Sequence, residues 1–188
     1  MEHNGSELVL NMACDYAEGR DADSNYAKKL ADQCKNLARD TTSNLLYELR
    51  LIRDKKYMIT SNIDVSDSLV NGSIGLLKKI VFSEPTAVRQ CKVVRVYLSF
   101  EDEEIGQIAR RLNLHKRNDQ VEDNWTVFFS ISVNIHRPSN GDFHIERNQL
   151  PIIECEAMNI HNSQGQTYSK CAVNIGNGLS KYLLYVFL

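Results

Sequence analysis

The start of the chain alternates between large apolar and other residues, and a helical period follows. From Leu8 to Cys14 large apolar residues stand at alternate positions, a spacing that predicts a β-strand. Residues 16–23 are polar and contain a glycine, which predicts a loop. Ser24 can cap a helix through its hydroxyl. Apolar residues then recur at steps of three and four, and this period predicts an amphipathic helix over 24–39.

Short apolar runs separated by turn residues fill the middle of the chain. They predict strands over 57–60, 94–100 and 125–135. Asn71-Gly72 and Asn140-Gly141 stand between such runs and predict hairpins, because both residue types tolerate positive φ. Gly75, within the strand that follows, indicates a bulge or a close backbone approach. Short strands at this spacing predict a small antiparallel barrel or sheet.

The pattern changes twice more towards the end of the sequence. Residues 101–124 are highly charged and predict a solvated excursion with a short helix at 103–112. After Pro151 an apolar run leads into a glycine-containing turn at 163–167, and a second apolar run follows. Strand and helix around such a turn indicate an α/β organisation for 151–188.

Composition limits the classes of function. The length of 188 residues is enough for one domain, or one and a half small ones. Hydrophobic residues make up 43% of the chain, which is enough to form a core. The net charge of −2 gives no overall basic field, so any contact with nucleic acid must come from local patches. No apolar run reaches the length of about 18 residues expected of a membrane-spanning helix. The five cysteines are scattered and form no C-x-x-C pair, which favours free thiols over a disulfide framework or a zinc site.

Few catalytic or metal-binding motifs occur in the sequence. No Gly-Lys pair is present, so the phosphate-cradling loop of nucleoside triphosphatases is missing. Glu101 to Glu104 follow a β-rich run as a magnesium-binding strand end would, but that strand carries Arg95 and Tyr97 on its second face, which favours a solvated strand end. No histidine stands at metal-ligand spacing from another histidine or cysteine. A charged loop that can meet phosphate, but is better explained as solvated, comprises Arg110, Arg111, His115, Lys116 and Arg117.

Two stretches resemble the Pif-type DNA helicases, including relatives carried by Helitron transposons. Leu49 to Leu77, with Leu-Val-Asn-Gly at 69–72, is similar to the family run in which "Met-Leu-x-x-Asn" leads to "Gly-Leu-Val-Asn-Gly". Ala157 to Thr167 is similar to the family motif "Ala-x-Thr-Ile-His-Lys-Ser-Gln-Gly-Gln-Thr". Shorter matches cover Trp125-Thr126, residues 147–151 and Leu184-Tyr185-Val186. The resemblance covers roughly residues 8–188.

The resemblance implies an α/β fold, a partial second RecA-like domain with an inserted SH3-like antiparallel β-barrel. It assigns residues 1–44 to the N-terminal strand and helix of the RecA-like domain, 45–150 to the inserted barrel-like region, and 151–188 to a RecA-like segment. That last segment would carry the helicase motif and be truncated. The implied activity is ATP-driven 5′-to-3′ unwinding of duplex DNA, with Mg²⁺-ATP held between two RecA-like domains.

The motif at 160–167 carries the implied site residues. By the resemblance His161, Ser163 and Thr167 lie near single-stranded DNA, whereas Gln164, Gly165 and Gln166 lie nearer the nucleotide. The physics of the stretch agrees with this assignment, because a glycine after an apolar strand permits a tight turn where main chain can approach a ligand.

Four positions depart from the family pattern. Asn162 stands where the family has Lys, and Asn159 where it has Thr. Asp54 and Ser68 stand where the family has Gly; if these positions need positive φ, each substitution costs about 1 kcal/mol.

The sequence also stops just before the position of the family's Ser-Arg pair, whose arginine acts on the γ-phosphate. Together with the missing phosphate loop, this predicts that these 188 residues alone neither bind Mg²⁺-ATP tightly nor hydrolyse it.

The leading functional hypothesis is therefore the C-terminal part of a DNA helicase, partnered by single-stranded DNA and by the missing ATPase half. A non-catalytic single-stranded nucleic-acid-binding module and a decayed transposon remnant stay open as alternatives. The family implies roles in DNA repair, recombination and telomere maintenance. It also implies a nuclear location, with mitochondria as the alternative and no membrane partner.

Overall fold

A computed structural model of the chain describes residues 7–83, 92–112, 121–139 and 142–155. Within these ranges the strands form three sheets, and every pairing between strands is antiparallel. The elements, in chain order, are β1 (Val9–Met12), β2 (Cys14–Gly19), α1 (Asn25–Cys34), a 3-10 turn (Arg39–Thr42), β3 (Glu48–Leu51), β4 (Lys56–Ile59), β5 (Ile74–Phe82), β6 (Val93–Phe100), α2 (Gln107–Leu112), β7 (Trp125–Phe129), β8 (Ile131–His136), β9 (Phe143–Gln149) and β10 (Ile152–Glu154).

The largest sheet has five strands in the order β10-β4-β5-β6-β7. Alternate residues of a strand point to the same side of its sheet. In β5, β6 and β7 the residues on one side are mostly apolar, so the sheet has one apolar face. The central buried residues of this face are Leu77, Val96, Leu98, Phe100 and Phe128. Gly75 lies in the same layer, where a Cβ atom would stand 3.0 Å from Phe100 Cε1 and 3.2 Å from Leu98 Cβ. This glycine therefore marks the close approach that the sequence indicated.

The three-stranded sheet, β2-β9-β8, packs against helix α1. Ser24 caps the helix, its Oγ accepting a hydrogen bond of 3.1 Å from the backbone N–H of Ala27. The core between helix and sheet is built from small and medium side chains: Ala27, Ala31, Cys34, Ile135, Phe143 and Ile145. The helix ends at Cys34 rather than at residue 39, and a 3-10 turn forms at Arg39–Thr42 instead.

The predicted loop over 16–23 is wrong in its first half, because residues 16–19 belong to strand β2. This strand pairs with β9 over its whole length, from Cys14 opposite Asn148 to Gly19 opposite Phe143. Its outward residues, Tyr16 and Glu18, are polar, and its inward Ala17 is small. No alternation of large apolar residues was therefore present to indicate a strand.

Buried polar side chains join the three-stranded sheet to the segments around it. Arg147 of β9 binds Asp15 of β2 through two hydrogen bonds, from Nε at 2.8 Å and from Nη2 at 2.7 Å. The same guanidinium donates to the carbonyl oxygens of Leu45, at 3.1 Å, and Cys34, at 2.8 Å. One buried cation thus joins β9 to β2, to the end of α1 and to the loop before β3, and these hydrogen bonds explain why an arginine fits in the interior.

Gln149 also joins neighbouring segments through buried hydrogen bonds. Its Oε1 accepts a 2.6 Å hydrogen bond from Asn11 Nδ2, and its Nε2 donates to the carbonyl oxygens of Asn11 at 3.1 Å and Leu46 at 3.2 Å. Arg147 and Gln149, two of the residues in the stretch 147–151 that the resemblance singled out, are therefore buried and connect neighbouring segments.

The predicted fold class is correct only at the level of mixed short strands with few helices. The five-stranded sheet is open, and no closed SH3-like barrel is found among the described residues. Strand β1 pairs with β3, and β2 with β9, so pairings cross the predicted division at residue 44. The domain boundaries stay a prediction, and all but residues 151–155 of the predicted RecA-like segment 151–188 lie outside the described ranges.

Asn71 and Gly72 occupy a tight turn, but the hairpin predicted between the segments on either side does not form. The Ser73 N–H donates to the Val70 carbonyl at 3.1 Å, and Gly72 has φ +99°. The turn leads into β5, which pairs with the preceding strand β4 instead. The second predicted hairpin joins β8 to β9, which do pair, although Asn140 and Gly141 themselves lie outside the described residues.

Helix α2 is short and depends on a capping carboxylate. The buried Asp67 accepts hydrogen bonds of 2.8 Å from the backbone N–H groups of Ile108 and Ala109. In the part of the chain that the structure describes, no helix has both the length and the apolar character needed to cross a membrane.

Candidate nucleic-acid interface

The face of the five-stranded sheet opposite its apolar core carries a different set of residues. The strand register aligns this face, which we call the second face, in three rows across β5, β6 and β7. The rows are Leu76–Ser99–Trp125, Lys79–Tyr97–Val127 and Val81–Arg95–Phe129. Within these nine positions there are two cations, three aromatic rings and no carboxylate.

The aromatic rings differ in accessibility. Phe129 is 40% exposed and Trp125 is half-buried, so both present part of a ring to solvent. Tyr97 is only 3% exposed and supports the face from within. Exposed rings next to cations are the combination on which the bases of single-stranded nucleic acid stack.

A third cation, Arg53, adds to the positive charge of the second face. Partial burial lowers the pKa of Lys79, and the positive charges of Arg53 and Arg95 lower it further. Arg53 and Arg95 therefore both lie close enough to Lys79 to act on it electrostatically. Arg53 itself is exposed, in the turn between β3 and β4.

Two buried N–H donors on the second face have no hydrogen-bond acceptor among the described residues. They are Arg95 Nε and Trp125 Nε1. A buried donor without an acceptor costs about 1–3 kcal/mol. A phosphate or base oxygen that reached them after a small side-chain movement would recover that cost.

The residues that the resemblance assigned to the site all fall outside the described ranges. They are His161, Ser163, Gln164, Gly165, Gln166 and Thr167. The structure neither brings them together nor separates them. Asn71 and Gly72, assigned only a structural turn, lie in the turn before β5.

The basic cluster near residue 110 has a structural role where it is described. Arg110 donates from Nη1 to the Ile105 carbonyl at 2.7 Å and to Thr126 Oγ1 at 3.0 Å, and from Nη2 to the Glu103 carbonyl. Its guanidinium therefore ties helix α2 to β7. Arg111, in the same helix, is exposed, whereas His115, Lys116 and Arg117 lie outside the described ranges.

Sequence reasoning found one strand of the second face and missed the face as a whole. Arg95 and Tyr97 were placed together on one side of their strand, but Lys79 and Phe129 join them only through the register of neighbouring strands. An irregularity in the register between Leu77 and Lys79 turns Lys79 to this side. A strict alternation from Leu77 would also have placed the neighbouring Lys78, rather than Lys79, on this face.

Comparison with solved structures identifies the kind of fold. The chain is similar to the Pif1 helicase from Candida albicans, with a TM-score of 0.55 and 19% identity over 97% of this chain and 37% of that one. It is also similar to Pif1 from Bacteroides in complex with ADP-AlF3 and ssDNA, with a TM-score of 0.54 and 14% identity over 96% of this chain and 32% of that one. A third similar structure is Bacteroides Pif1 bound to ssDNA, with a TM-score of 0.53 and 13% identity over 97% of this chain and 32% of that one.

These likenesses show that the chain has the fold of a region of the Pif1 helicases. The chain spans about a third of the length of the helicases that it matches. No protein-family profile matches the sequence, and no curated protein matches it.

Proposed function

We propose that this chain is part of a Pif-type DNA helicase and that it binds single-stranded DNA across the second face of β5, β6 and β7. The observation that carries the proposal is the concentration of cations and aromatic rings, without a carboxylate, on one sheet face of a chain whose net charge is −2. The fold supports it, since two of the similar Pif1 structures were solved with ssDNA.

The second face suits a strand without sequence preference. Arg53, Lys79 and Arg95 would meet phosphates, and Trp125 and Phe129 would stack on bases, each stacked base contributing about 1–3 kcal/mol. Each ring offers a π-face that accepts any base. The affinity would therefore depend strongly on salt and weakly on sequence.

The resemblance implies a separate role for the helicase motif at 160–167, between single-stranded DNA and the nucleotide. In this proposal His161, Ser163 and Thr167 contact the strand, while Gln164, Gly165 and Gln166 lie on the nucleotide side. Mg²⁺-ATP would bind only together with a segment that supplies a phosphate loop, because these 188 residues contain no Gly-Lys pair. We therefore expect no ATP hydrolysis by the purified chain alone, and DNA-stimulated turnover by it would contradict this part of the proposal.

The binding test uses a fluorescein-labelled single-stranded oligonucleotide and anisotropy at low salt. The wild-type chain should bind with micromolar affinity. The double variant Arg53→Glu/Lys79→Glu should bind at least about tenfold more weakly, because two phosphate contacts become repulsive. Phe129→Ala, which leaves the charge unchanged, should lower the affinity by about fivefold or more through lost stacking.

A matched control separates local from general electrostatics. Lys28→Glu/Lys29→Glu makes the same change in net charge on exposed positions of helix α1. This variant should keep close to wild-type affinity. Equal losses in the two double variants, or no binding by the wild type at low salt, would reject the second face as the interface.

Binding of single-stranded DNA is expected both of a helicase and of a non-catalytic binding module. The coding sequence around this chain distinguishes the two. A phosphate loop upstream and a Ser-Arg pair downstream in the same frame would favour the helicase. Stop codons in both places would favour the module or a transposon remnant.

A further inference from the structure

The solvent face of the three-stranded sheet brings together three side chains that are far apart in sequence. Glu18 lies on β2, and His144 and Glu146 lie two residues apart on β9. Glu18 is directly opposite His144 in the strand register, and Tyr16 is directly opposite Glu146. All four side chains therefore project from the same face, away from the core under helix α1.

The three potential ligand atoms are close to one another. His144 Nε2 lies 3.0 Å from Glu146 Oε1 and 3.9 Å from Glu18 Oε2. One ligand atom from each residue lies within 4.8 Å of the others. When ligand atoms each lie about 2.0–2.2 Å from a tetrahedral ion, their distances from one another fall in the range seen here. Small side-chain movements would therefore be enough for these three atoms to surround an ion.

A hydrogen-bond chain across all three strands fixes one of the carboxylates. The Tyr16 hydroxyl donates to Glu146 Oε2 at 2.8 Å. Ser132 Oγ, which lies 3.1 Å from the Tyr16 oxygen, must then be the donor in that pair, and it accepts in turn from Asn148 Nδ2 at 3.0 Å. Glu146 is thereby held through one oxygen, while its other oxygen faces His144. Such outer hydrogen bonds orient ligands at metal sites.

We propose that Glu18, His144 and Glu146 form a binding site for a divalent transition-metal ion, with Zn²⁺ as the best match. Imidazole nitrogen and carboxylate oxygen are both zinc ligands, and open zinc sites have three protein ligands with water in the fourth position. With both carboxylates ionised and the imidazole neutral, the site carries two negative charges, which a dication neutralises. Mg²⁺ and Ca²⁺ fit less well, because they need six or more oxygen ligands.

Both carboxylate oxygens of Glu146 take part in hydrogen bonds within the cluster, one with Tyr16 and one with His144. The proton that His144 Nε2 shares with Glu146 occupies the place that a metal ion would take. The side chains of His144 and Glu146 are 22% and 18% exposed and that of Glu18 is 59% exposed, so the site is open to ions from solution.

The test uses Co²⁺ as a spectroscopic substitute for Zn²⁺, with calorimetry for the stoichiometry. The wild-type chain should bind one ion in competition with Zn²⁺ and show the visible absorption of tetrahedral Co²⁺ without thiolate charge-transfer bands. His144→Ala and Glu146→Gln should abolish that absorption. Tyr16→Phe, which removes only the supporting hydroxyl, should weaken binding by about tenfold or more.

His136→Ala provides the matched control, since His136 is an exposed histidine on the neighbouring strand β8. It should leave binding unchanged, and urea unfolding of each variant should show that the sheet is intact. Absence of stoichiometric binding by the wild type, binding that persists in His144→Ala, or a spectrum dominated by thiolate ligands would each overturn the proposal.

Discussion

The five-stranded and three-stranded sheets are stabilised in different ways. The five-stranded sheet buries large apolar residues such as Leu77, Leu98 and Phe128 in one layer. The three-stranded sheet has a core of smaller side chains and is joined to its surroundings by the buried Arg147–Asp15 pair, in which both side chains are 1% exposed. Apolar packing tolerates local rearrangement, whereas a buried ion pair is highly sensitive to loss of one partner.

Backbone positions with positive φ occur around both sheets. At the end of β2, in the three-stranded sheet, Gly19 adopts φ +130°, and a Cβ there would stand 2.3 Å from the Asp142 carbonyl oxygen. Around the five-stranded sheet Gly72 and Gly106 also adopt positive φ, but Asp54, at φ +62°, and Ser68, at φ +56°, do so with a Cβ atom. The helicase family has Gly at these two positions. Because both positions have positive φ here, each substitution costs about 1 kcal/mol.

The largest expected effect is at the buried ion pair. Arg147→Met leaves the Asp15 carboxylate without its partner and should lower the free energy of unfolding by about 3–5 kcal/mol, measured by urea denaturation. The double variant Asp15→Leu/Arg147→Met should recover part of that loss, because no uncompensated charge remains. The carbonyl oxygens of Leu45 and Cys34 still lose their donor, so recovery should be incomplete.

The control is the pair formed by Arg20 and Asp142, whose side chains are 84% and 68% exposed. Arg20→Met should change the free energy of unfolding by less than about 1 kcal/mol. Similar losses for Arg20→Met and Arg147→Met would show that burial is not what makes the Arg147 pair important.

The second-largest loss of stability is expected from a change in the apolar layer of the five-stranded sheet. Leu77→Ala removes a fully buried side chain and should cost about 2–5 kcal/mol, depending on how far the layer collapses. Leu76→Ala makes the same change one residue earlier, on the half-exposed second face, and should cost clearly less. Equal denaturation midpoints for the two variants would contradict the assignment of the two faces.

The smallest effect has the opposite sign. Ser68→Gly should stabilise the chain by up to about 1 kcal/mol, because glycine adopts positive φ without the steric cost that serine bears. Ser68→Ala keeps the Cβ atom and should bring no such gain. A thermal midpoint that falls in Ser68→Gly would place the strain elsewhere.

Much of the fold could be predicted from apolar periodicity, and the exceptions have physical causes. The predicted strands at 57–60 and 94–100 and the helix after Ser24 correspond to β4, β6 and α1, which all bury apolar residues. The predicted run at 125–135 divides into β7 and β8, which belong to different sheets. Strand β2 was missed because its inward positions are filled by small or charged residues. The Asn71-Gly72 turn was located, but its strand partners were not, since pairing is set by contacts distant in sequence.

The candidate sites were harder to predict, because register brings their residues together. Lys79, Arg95 and Phe129 share a face only once three strands are aligned, and an irregularity in β5 selects Lys79. Glu18 and His144 are opposite one another across β2 and β9, although no local spacing links them. The arginine and glutamine at 147 and 149 look like surface residues in sequence, yet both are buried connectors.

The most direct test of the proposed function is the salt dependence of binding to a single-stranded oligonucleotide. For single strands the slope of log K against log salt is about −0.7 for each phosphate neutralised. Contacts from Arg53, Lys79 and Arg95 therefore predict a slope of about −2 for the wild type, and a slope flatter by about 1.4 for Arg53→Glu/Lys79→Glu. A slope that is the same in wild type and variant would contradict DNA binding across the second face.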